Sequence, residues 1–138
     1  MHIDHVAVWT KDLDRLAAFY MQYFGAVASD RYFNPHRQFS SCCLTFASGA
    51  RLELMHRPDL AGPDLAGPDL AASAEAAAPY AGYAHLALAL GSEAEVNALT
   101  TRLREDGYAL VDGPRHTGDG CYESCLLDPD GNRIELTL

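Results

Sequence analysis

The first half of the chain changes its hydrophobic period from that of a strand to that of a helix and back. Residues 2–9, HIDHVAVW, alternate with a period of two and predict a strand. Apolar side chains then recur at helical spacing over 13–20, and Gly25 stands where a helix is expected to end. Turn residues separate three more predicted strands, at 26–33, 38–46 and 50–56. The predicted order is strand, helix and three strands.

The second half repeats this order. YAHLALAL, residues 83–90, predicts a strand, and the capping box that begins at Ser92 and includes Glu95 predicts the start of a helix. Gly107 marks the end of that helix. Three further strands are predicted at 108–112, 121–127 and 132–138, the last two joined by the turn DPDG. The chain is therefore α+β, with the same five-element pattern written twice.

Matching spacings indicate that the two halves are a duplicated module. GARLEL, residues 49–54, returns as GNRIEL at 131–136. The first-strand histidine and the last-strand glutamate are 48 residues apart in one half and 50 in the other, and the distances from histidine to helix-ending glycine are 20 and 22. We predict one domain made of module one, 1–56, and module two, 81–138.

The segment between the modules, 57–80, has a different composition. It contains PDLAG twice in succession, then PDL and an alanine-rich stretch. Low complexity of this kind is typical of a connector that contributes little to a packed core. We interpret 57–80 as an inter-module linker rather than a functional lid.

The composition of the chain limits the classes of partner that it is expected to bind. The net charge of −9 and the lack of a clustered basic face argue against a nucleic-acid partner. No apolar run reaches the length of about 18 residues that a membrane span needs, and the N-terminus shows no signal-peptide pattern. The four cysteines form no C-x-x-C pair and read as reduced thiols. These observations predict a cytoplasmic protein with neither a nucleic-acid nor a membrane partner.

Each module offers one histidine in its first predicted strand and one glutamate in its last: His5 and Glu53, then His85 and Glu135. Imidazole and carboxylate are good ligands for divalent cations. Each glutamate stands between two aliphatic residues that point to the other face of its strand, so it lines a cavity or faces solvent. A single such pair is more often structural than metal-binding, but the same pair at matching positions of a repeat favours a metal site.

These segments resemble the vicinal oxygen chelate superfamily, and within it the glyoxalase I-like proteins. The resemblance is carried by HIDHVAV, FYMQYFGA, GARLEL, YAHLAL and DPDGNRIEL, and it covers the chain except the linker. It implies two tandem βαβββ modules in a curved, incomplete eight-stranded barrel. It also implies one divalent metal ion per site, held by His5, Glu53, His85 and Glu135, and a homodimer in which modules of different chains can complete each site. Nickel, cobalt, zinc, manganese and ferrous iron all suit this ligand set.

The resemblance further implies an isomerase or lyase that acts on a hydroxy-carbonyl or thiohemiacetal substrate through a metal-stabilised enediolate. Glu135 is then the first choice for the catalytic base and Glu53 the second. Two alternatives stay open: an extradiol dioxygenase, which needs only two histidines and one carboxylate, and a non-catalytic small-molecule binding or resistance protein.

The substrate is less defined. Bacterial relatives of this type place an arginine and an asparagine, both serving glutathione, where this chain has Trp9 and Arg57. A different hydroxy-carbonyl substrate is therefore at least as well supported as the glutathione adduct. The residues that we expect around the pocket are Trp9, Arg51, His116, Tyr122, Glu123 and Arg133, with Arg115 as an alternative to His116.

Overall fold

The computed structural model describes residues 1–61 and 81–138. The chain divides into two compact units, Met1–Pro63 and Asp64–Leu138. Each unit packs one helix against one face of its own sheet. In the described part of the chain, no helix is long and apolar enough to cross a membrane.

The sheet of unit one has the strand order β1-β5-β4-β2, and β3 also pairs with β4. Strands β1 and β5 are parallel, whereas the other pairs are antiparallel. The elements are β1 (Val6–Trp9), α1 (Leu13–Phe24), β2 (Val27–Ala28), β3 (Tyr32–Asn34), β4 (Phe39–Thr45) and β5 (Arg51–His56).

Unit two has the order β6-β9-β8-β7, again with its first and last strands side by side and parallel. Neighbouring first and last strands bring the histidine and the glutamate of one module to adjacent positions of the same sheet. The elements are β6 (Leu86–Ala89), α2 (Glu93–Glu105), β7 (Leu110–His116), β8 (Tyr122–Leu127) and β9 (Arg133–Thr137).

Helices α1 and α2 begin at polar caps. The backbone N–H of Arg15 donates to Asp12 Oδ1 at 3.0 Å, and α1 ends at Gly25 in the left-handed region, with φ of 63°. In unit two the Ser92 hydroxyl accepts from the Glu95 N–H at 3.2 Å. Such caps satisfy backbone donors that have no partner inside the helix.

One face of each helix fills a core. In unit one the buried side chains come from α1 and from the strands beneath it: Leu13, Leu16, Phe19, Tyr20, Leu44, Leu52 and Leu54. In unit two they come from α2, β8 and β9: Val96, Leu103, Leu126, Leu127, Ile134 and Leu136. The Thr100 and Ser124 hydroxyls are hydrogen-bonded at 2.6 Å in that core, which satisfies both polar groups.

The predicted α+β class and the repeated element order are confirmed, with three local differences. The predicted strand 26–33 forms two short strands, β2 and β3, so the described residues contain nine strands. Strands β1 and β6 begin at Val6 and Leu86, because the parallel ladders start at the pairs that these residues form with Leu52 and Ile134. The strand predicted at 108–112 continues through irregular pairing to His116. Most of the predicted linker, 62–80, lies outside the described residues.

Candidate metal and substrate site

In unit one the ligand pair lies on the sheet face that the helix leaves open. Leu52 and Leu54 of β5 are buried on the α1 side, with 2% and 0% of their surface exposed, so Glu53 between them points the other way. The Glu53 side chain keeps 28% of its surface exposed. His5 directly precedes β1, whose Ala7 lies opposite Glu53 in the parallel ladder. Its Nε2 atom is 3.4 Å from Glu53 Oε2.

Unit two builds the same pair. Ile134 and Leu136 of β9 are fully buried against the α2 side, and Glu135 between them keeps 18% of its side-chain surface exposed on the other face. His85 directly precedes β6, and Ala87 is the residue opposite Glu135. The Nε2 atom of His85 lies 3.5 Å from Glu135 Oε2. The sequence predicted both pairs, and the duplicated ladders give them the same geometry.

The spacing within each pair fits a shared cation. Two ligand atoms that each lie about 2.1 Å from one ion are about 3.0 Å apart at a right angle and about 3.4 Å apart at a tetrahedral angle. The observed distances of 3.4 and 3.5 Å lie at the upper end of that range and just above it. Within 1–61 and 81–138, no three histidine, cysteine, aspartate or glutamate side chains gather into one metal-holding group. Each unit thus contributes one predicted ligand pair, and the binding of one ion by all four side chains stays a prediction.

Two carboxylates flank His5. Asp4 Oδ2 lies 2.8 Å from Nδ1 of the imidazole, on the side away from Glu53. The same oxygen forms an ion pair with the Arg51 guanidinium. The hydrogen bond from His5, followed by the contact with Arg51, lowers the pKa of Asp4. In unit two the residue before His85 is Ala84, so this arrangement has no counterpart there.

Two cysteines share the ligand face, and sequence reasoning assigned them no particular position. Cys43 pairs with Glu53 across β4 and β5, and Cys125 pairs with Glu135 across β8 and β9. Each cysteine precedes its glutamate by 10 residues, a repeated offset that was visible in the sequence. Burial raises the pKa of the Cys125 thiol, and a hydrogen bond with Arg133 opposes that shift. A small cysteine side chain therefore borders each of the two glutamates.

Aromatic side chains border the pair in unit one. Trp9 pairs with Met55, two residues from Glu53, and therefore lies on the Glu53 face. It stays 48% exposed and contacts the Phe39 ring edge to face, with ring centroids 6.2 Å apart. The Tyr32 ring lies 6.3 Å from that of Phe39. Trp9 was expected at the pocket, and its placement on this face is compatible with that role.

The pocket residues expected from β7 and β8 fall on two different faces. Glu123 is two residues from Cys125 and shares its face, and its cross-strand partner Arg115 lies 3.9 Å from it. Arg115 also pairs with Asp112. On this face Arg115, rather than His116, accompanies Glu135.

His116 and Tyr122 form the neighbouring cross-strand pair and point toward α2. The Tyr122 hydroxyl donates to Asn97 Oδ1 at 2.8 Å, and His116 Nε2 lies 3.6 Å from Glu93 Oε1. The two rings contact each other, with centroids 4.8 Å apart. These contacts with α2 take both side chains away from the face that carries Glu135, contrary to the expectation that they line the pocket. Side chains of adjacent strand residues alternate between faces, which explains the split.

A cleft of about 660 Å³ lies on the helix side of unit one, between α1 and the segment around β2. It is lined in part by Asp14, Met21, Ser29, Arg31 and Cys42. None of the predicted ligands borders it, because Leu52 and Leu54 turn the ligand face in the other direction. The cleft is therefore separate from the candidate metal site.

Solved structures with the same fold span the whole chain. A glyoxylase/bleomycin resistance protein/dioxygenase domain from Frankia sp. EAN1pec matches with a TM-score of 0.76 at 18% identity, covering 100% of this chain and 97% of that one. The trypanothione-dependent glyoxalase I of Leishmania major matches with a TM-score of 0.72 at 21% identity, covering 99% and 86%. Glyoxalase I of Zea mays matches with a TM-score of 0.73 at 22% identity, covering 98% of this chain and 43% of its own. At these identities the likeness establishes the fold.

The sequence itself assigns the family. No curated protein sequence matches this chain significantly. The profile of one superfamily matches residues 2–136, which include both modules and all four predicted ligands. The chain belongs to the Glyoxalase/Bleomycin resistance protein/Dioxygenase superfamily.

Proposed function

We propose that the protein is a divalent-metal-dependent isomerase or lyase of the glyoxalase I type, acting on a small hydroxy-carbonyl or thiohemiacetal compound. The observation that carries the proposal is the duplicated His–Glu pair, with N–O distances of 3.4 and 3.5 Å on equivalent sheet faces. Chance contacts rarely recur at equivalent positions of two modules. A metal role accounts for both pairs at once.

His5, Glu53, His85 and Glu135 would hold the ion. A divalent cation bound there would supply Lewis acidity that stabilises negative charge developing on two neighbouring substrate oxygens. The four side chains would leave the remaining positions on the ion to those oxygens. This ligand count favours an isomerase over an oxygenase, which must also accommodate dioxygen.

Glu135 is the proposed base that takes a proton from the carbon beside the substrate carbonyl and returns it to the adjacent carbon. It is the less exposed of the two glutamates, at 18% against 28% for Glu53. Less water therefore competes for the proton during transfer. The Cys125 and Ala87 side chains beside it are small and leave room for a substrate carbon.

The proposal is tested by reconstituting the metal-free protein with nickel, cobalt, zinc, manganese or ferrous iron. Each form is assayed on the methylglyoxal–glutathione hemithioacetal and on hydroxy-carbonyls without a thiol. Glu135→Gln is expected to lower kcat by about 10²- to 10⁴-fold, the usual contribution of a positioned base. Glu105→Gln, an exposed carboxylate at the end of α2, is the matched control and should leave kcat unchanged.

Full activity of Glu135→Gln would reject its role as base. A metal-loaded protein that turns over the thiol-free compounds and not the hemithioacetal would keep the reaction class and assign a different substrate. Absence of metal binding in the wild type would reject the proposal.

A ring-cleaving dioxygenase is the second candidate. Such enzymes bind ferrous iron with two histidines and one carboxylate, a set that would be formed here by His5, His85 and Glu135. In that case Glu53 would be dispensable. Iron-dependent cleavage of catechols that survives Glu53→Ala would favour the dioxygenase.

A non-catalytic binding role is the third candidate, favoured by the exposed Trp9 and Tyr32 rings. Thermal protection of metal-free protein by an apolar ligand would support it.

A further inference from the structure

The two ligand pairs match in distance but differ in their surroundings. In unit one the imidazole of His5 has a carboxylate on each side, that of Asp4 at Nδ1 and that of Glu53 near Nε2. In unit two Ala84 stands where module one has Asp4, so this side chain offers no acceptor to His85. The asymmetry concerns the orientation of the histidine.

The Asp4 contact determines which ring nitrogen carries hydrogen. An ionised carboxylate only accepts hydrogen bonds, so at 2.8 Å the Nδ1 atom of His5 must be the donor. In the neutral ring the lone pair is then on Nε2, which faces Glu53 Oε2. Two acceptors that face each other at 3.4 Å repel unless a proton or a cation lies between them. This arrangement prepares Nε2 and Oε2 to share a cation.

Arg51 holds Asp4 in place. It lies at the start of β5, two residues before Glu53 and on the same face, and its guanidinium pairs with the Asp4 oxygen that His5 contacts. Its counterpart in module two, Arg133, instead hydrogen-bonds the Cys125 thiol. Arg51 of GARLEL and Arg133 of GNRIEL therefore contact different side chains.

We propose that Asp4 is a positioning residue for the metal site, which fixes His5 in the Nδ1–H tautomer and so makes the His5–Glu53 pair the preorganised half of the site. The proposal rests on the metal-dependent function proposed above. Carboxylate partners of ligand histidines fix the ring and its tautomer, and their loss typically lowers metal affinity by about 10- to 100-fold. Asp4 performs this role for one module only.

Ring-nitrogen NMR of the metal-free protein tests the tautomer, at a pH where the imidazoles are neutral. In the wild type His5 is expected to show one tautomer with hydrogen on Nδ1. Asp4→Ala should convert it to a mixture, while His85 in the same spectrum stays unchanged. Far-UV circular dichroism of the variant should match the wild type, because the Asp4 side chain is exposed.

Zinc titration of the same proteins gives the second readout. Asp4→Ala should weaken zinc binding by about 10- to 100-fold. Asp59→Ala is the matched control: it removes one negative charge from the same unit and breaks an aspartate–arginine pair, that of Asp59 with Arg57, without touching a histidine. It should leave zinc affinity and the His5 tautomer unchanged.

An unchanged His5 tautomer in Asp4→Ala would overturn the positioning role. A loss of zinc affinity in Asp59→Ala as large as that in Asp4→Ala would overturn it too, because the loss would then come from the removed charge. A wild type that binds no zinc or other divalent metal would instead reject the proposed function. The tautomer measurement needs no metal, so the two failures are distinguishable.

Discussion

Glu53 and Glu135 owe their positions to the aliphatic residues on either side of them. Leu52 and Leu54 are buried beneath α1, which forces Glu53 onto the opposite face of β5. Ile134 and Leu136 act in the same way on Glu135. Burial of such side chains contributes about 1.5–3 kcal/mol each, and a carboxylate is better solvated on the face that stays partly exposed. The core thus determines which face carries the ligands.

Alternation also separates the two adjacent cysteines of β4. Cys42 is buried on the core side, whereas Cys43 pairs with Glu53 on the other face. Burial raises the pKa of the Cys42 thiol, so its reactive thiolate forms only at higher pH in the folded protein. Since the folded state then holds the proton more tightly than the unfolded state, this group lowers stability as pH rises above its ordinary pKa.

We expect the rate of Cys42 alkylation by iodoacetamide to rise at higher pH in the native protein than in urea, as followed by mass spectrometry. The exposed Cys121 provides an internal reference for reagent access. If native and denatured Cys42 show the same midpoint, the account of its burial is incorrect.

At the scale of elements, β7 depends on one glycine. Gly113 has a φ of +81°, and a Cβ at this position would lie 2.5 Å from the Glu123 carbonyl oxygen and 2.9 Å from Ser124 Cα. The β7–β8 ladder shifts register on either side of Asp112. The close approach at Gly113 therefore helps to place Arg115 opposite Glu123 on the ligand face.

Gly113→Ala is expected to lower the free energy of unfolding by about 2 kcal/mol or more, from backbone strain and from contact with β8. Gly118→Ala is the matched control, because a Cβ there meets nothing within 4 Å. Urea titrations of both variants provide the measurement. Equal stability of the two variants would contradict the close packing at Gly113.

The sequence was sufficient for the order of elements, because helical and strand periods, caps and turns are local signals. Gly25 and Ser92 were each identified from such signals and act at helix ends in the structure. The pairing of strands is not local. Neither the irregular extension of β7 nor the cross-strand position of Cys43 and Cys125 follows from periodicity alone.

Part of the candidate site could also be predicted from the sequence. His5, Glu53, His85 and Glu135 could be identified because a duplicated chain repeats their spacing. Asp4 was not predicted, because module two has no aspartate at the matching position. Its proposed role depends on a side-chain contact with Nδ1 of His5, which the sequence does not show. The faces of Tyr122 and Glu123 could not be assigned until the register of β8 was known.

For the whole molecule, the resemblance implies a homodimer in which modules of different chains can complete each site. Mixing His5→Ala with His85→Ala protein tests this arrangement. If module one of one chain pairs with module two of the other, the mixed dimer regains one intact site, whereas each variant alone has none.

Metal binding should therefore reappear on mixing and subunit exchange, as measured by zinc titration, with size-exclusion chromatography confirming dimers. A mixture that binds no more metal than its components would contradict sites shared between chains and would place each site within a single chain.

We propose that two histidines and two glutamates, one pair from each module, bind one cation. Elemental analysis of the purified protein, beside His5→Ala, Glu53→Gln, His85→Ala, Glu135→Gln and the Glu105→Gln control, tests it most directly. We expect about one divalent ion per chain in the wild type and the control, and a clearly lower metal content in each of the four variants. Wild-type metal content in any one of the four would contradict it.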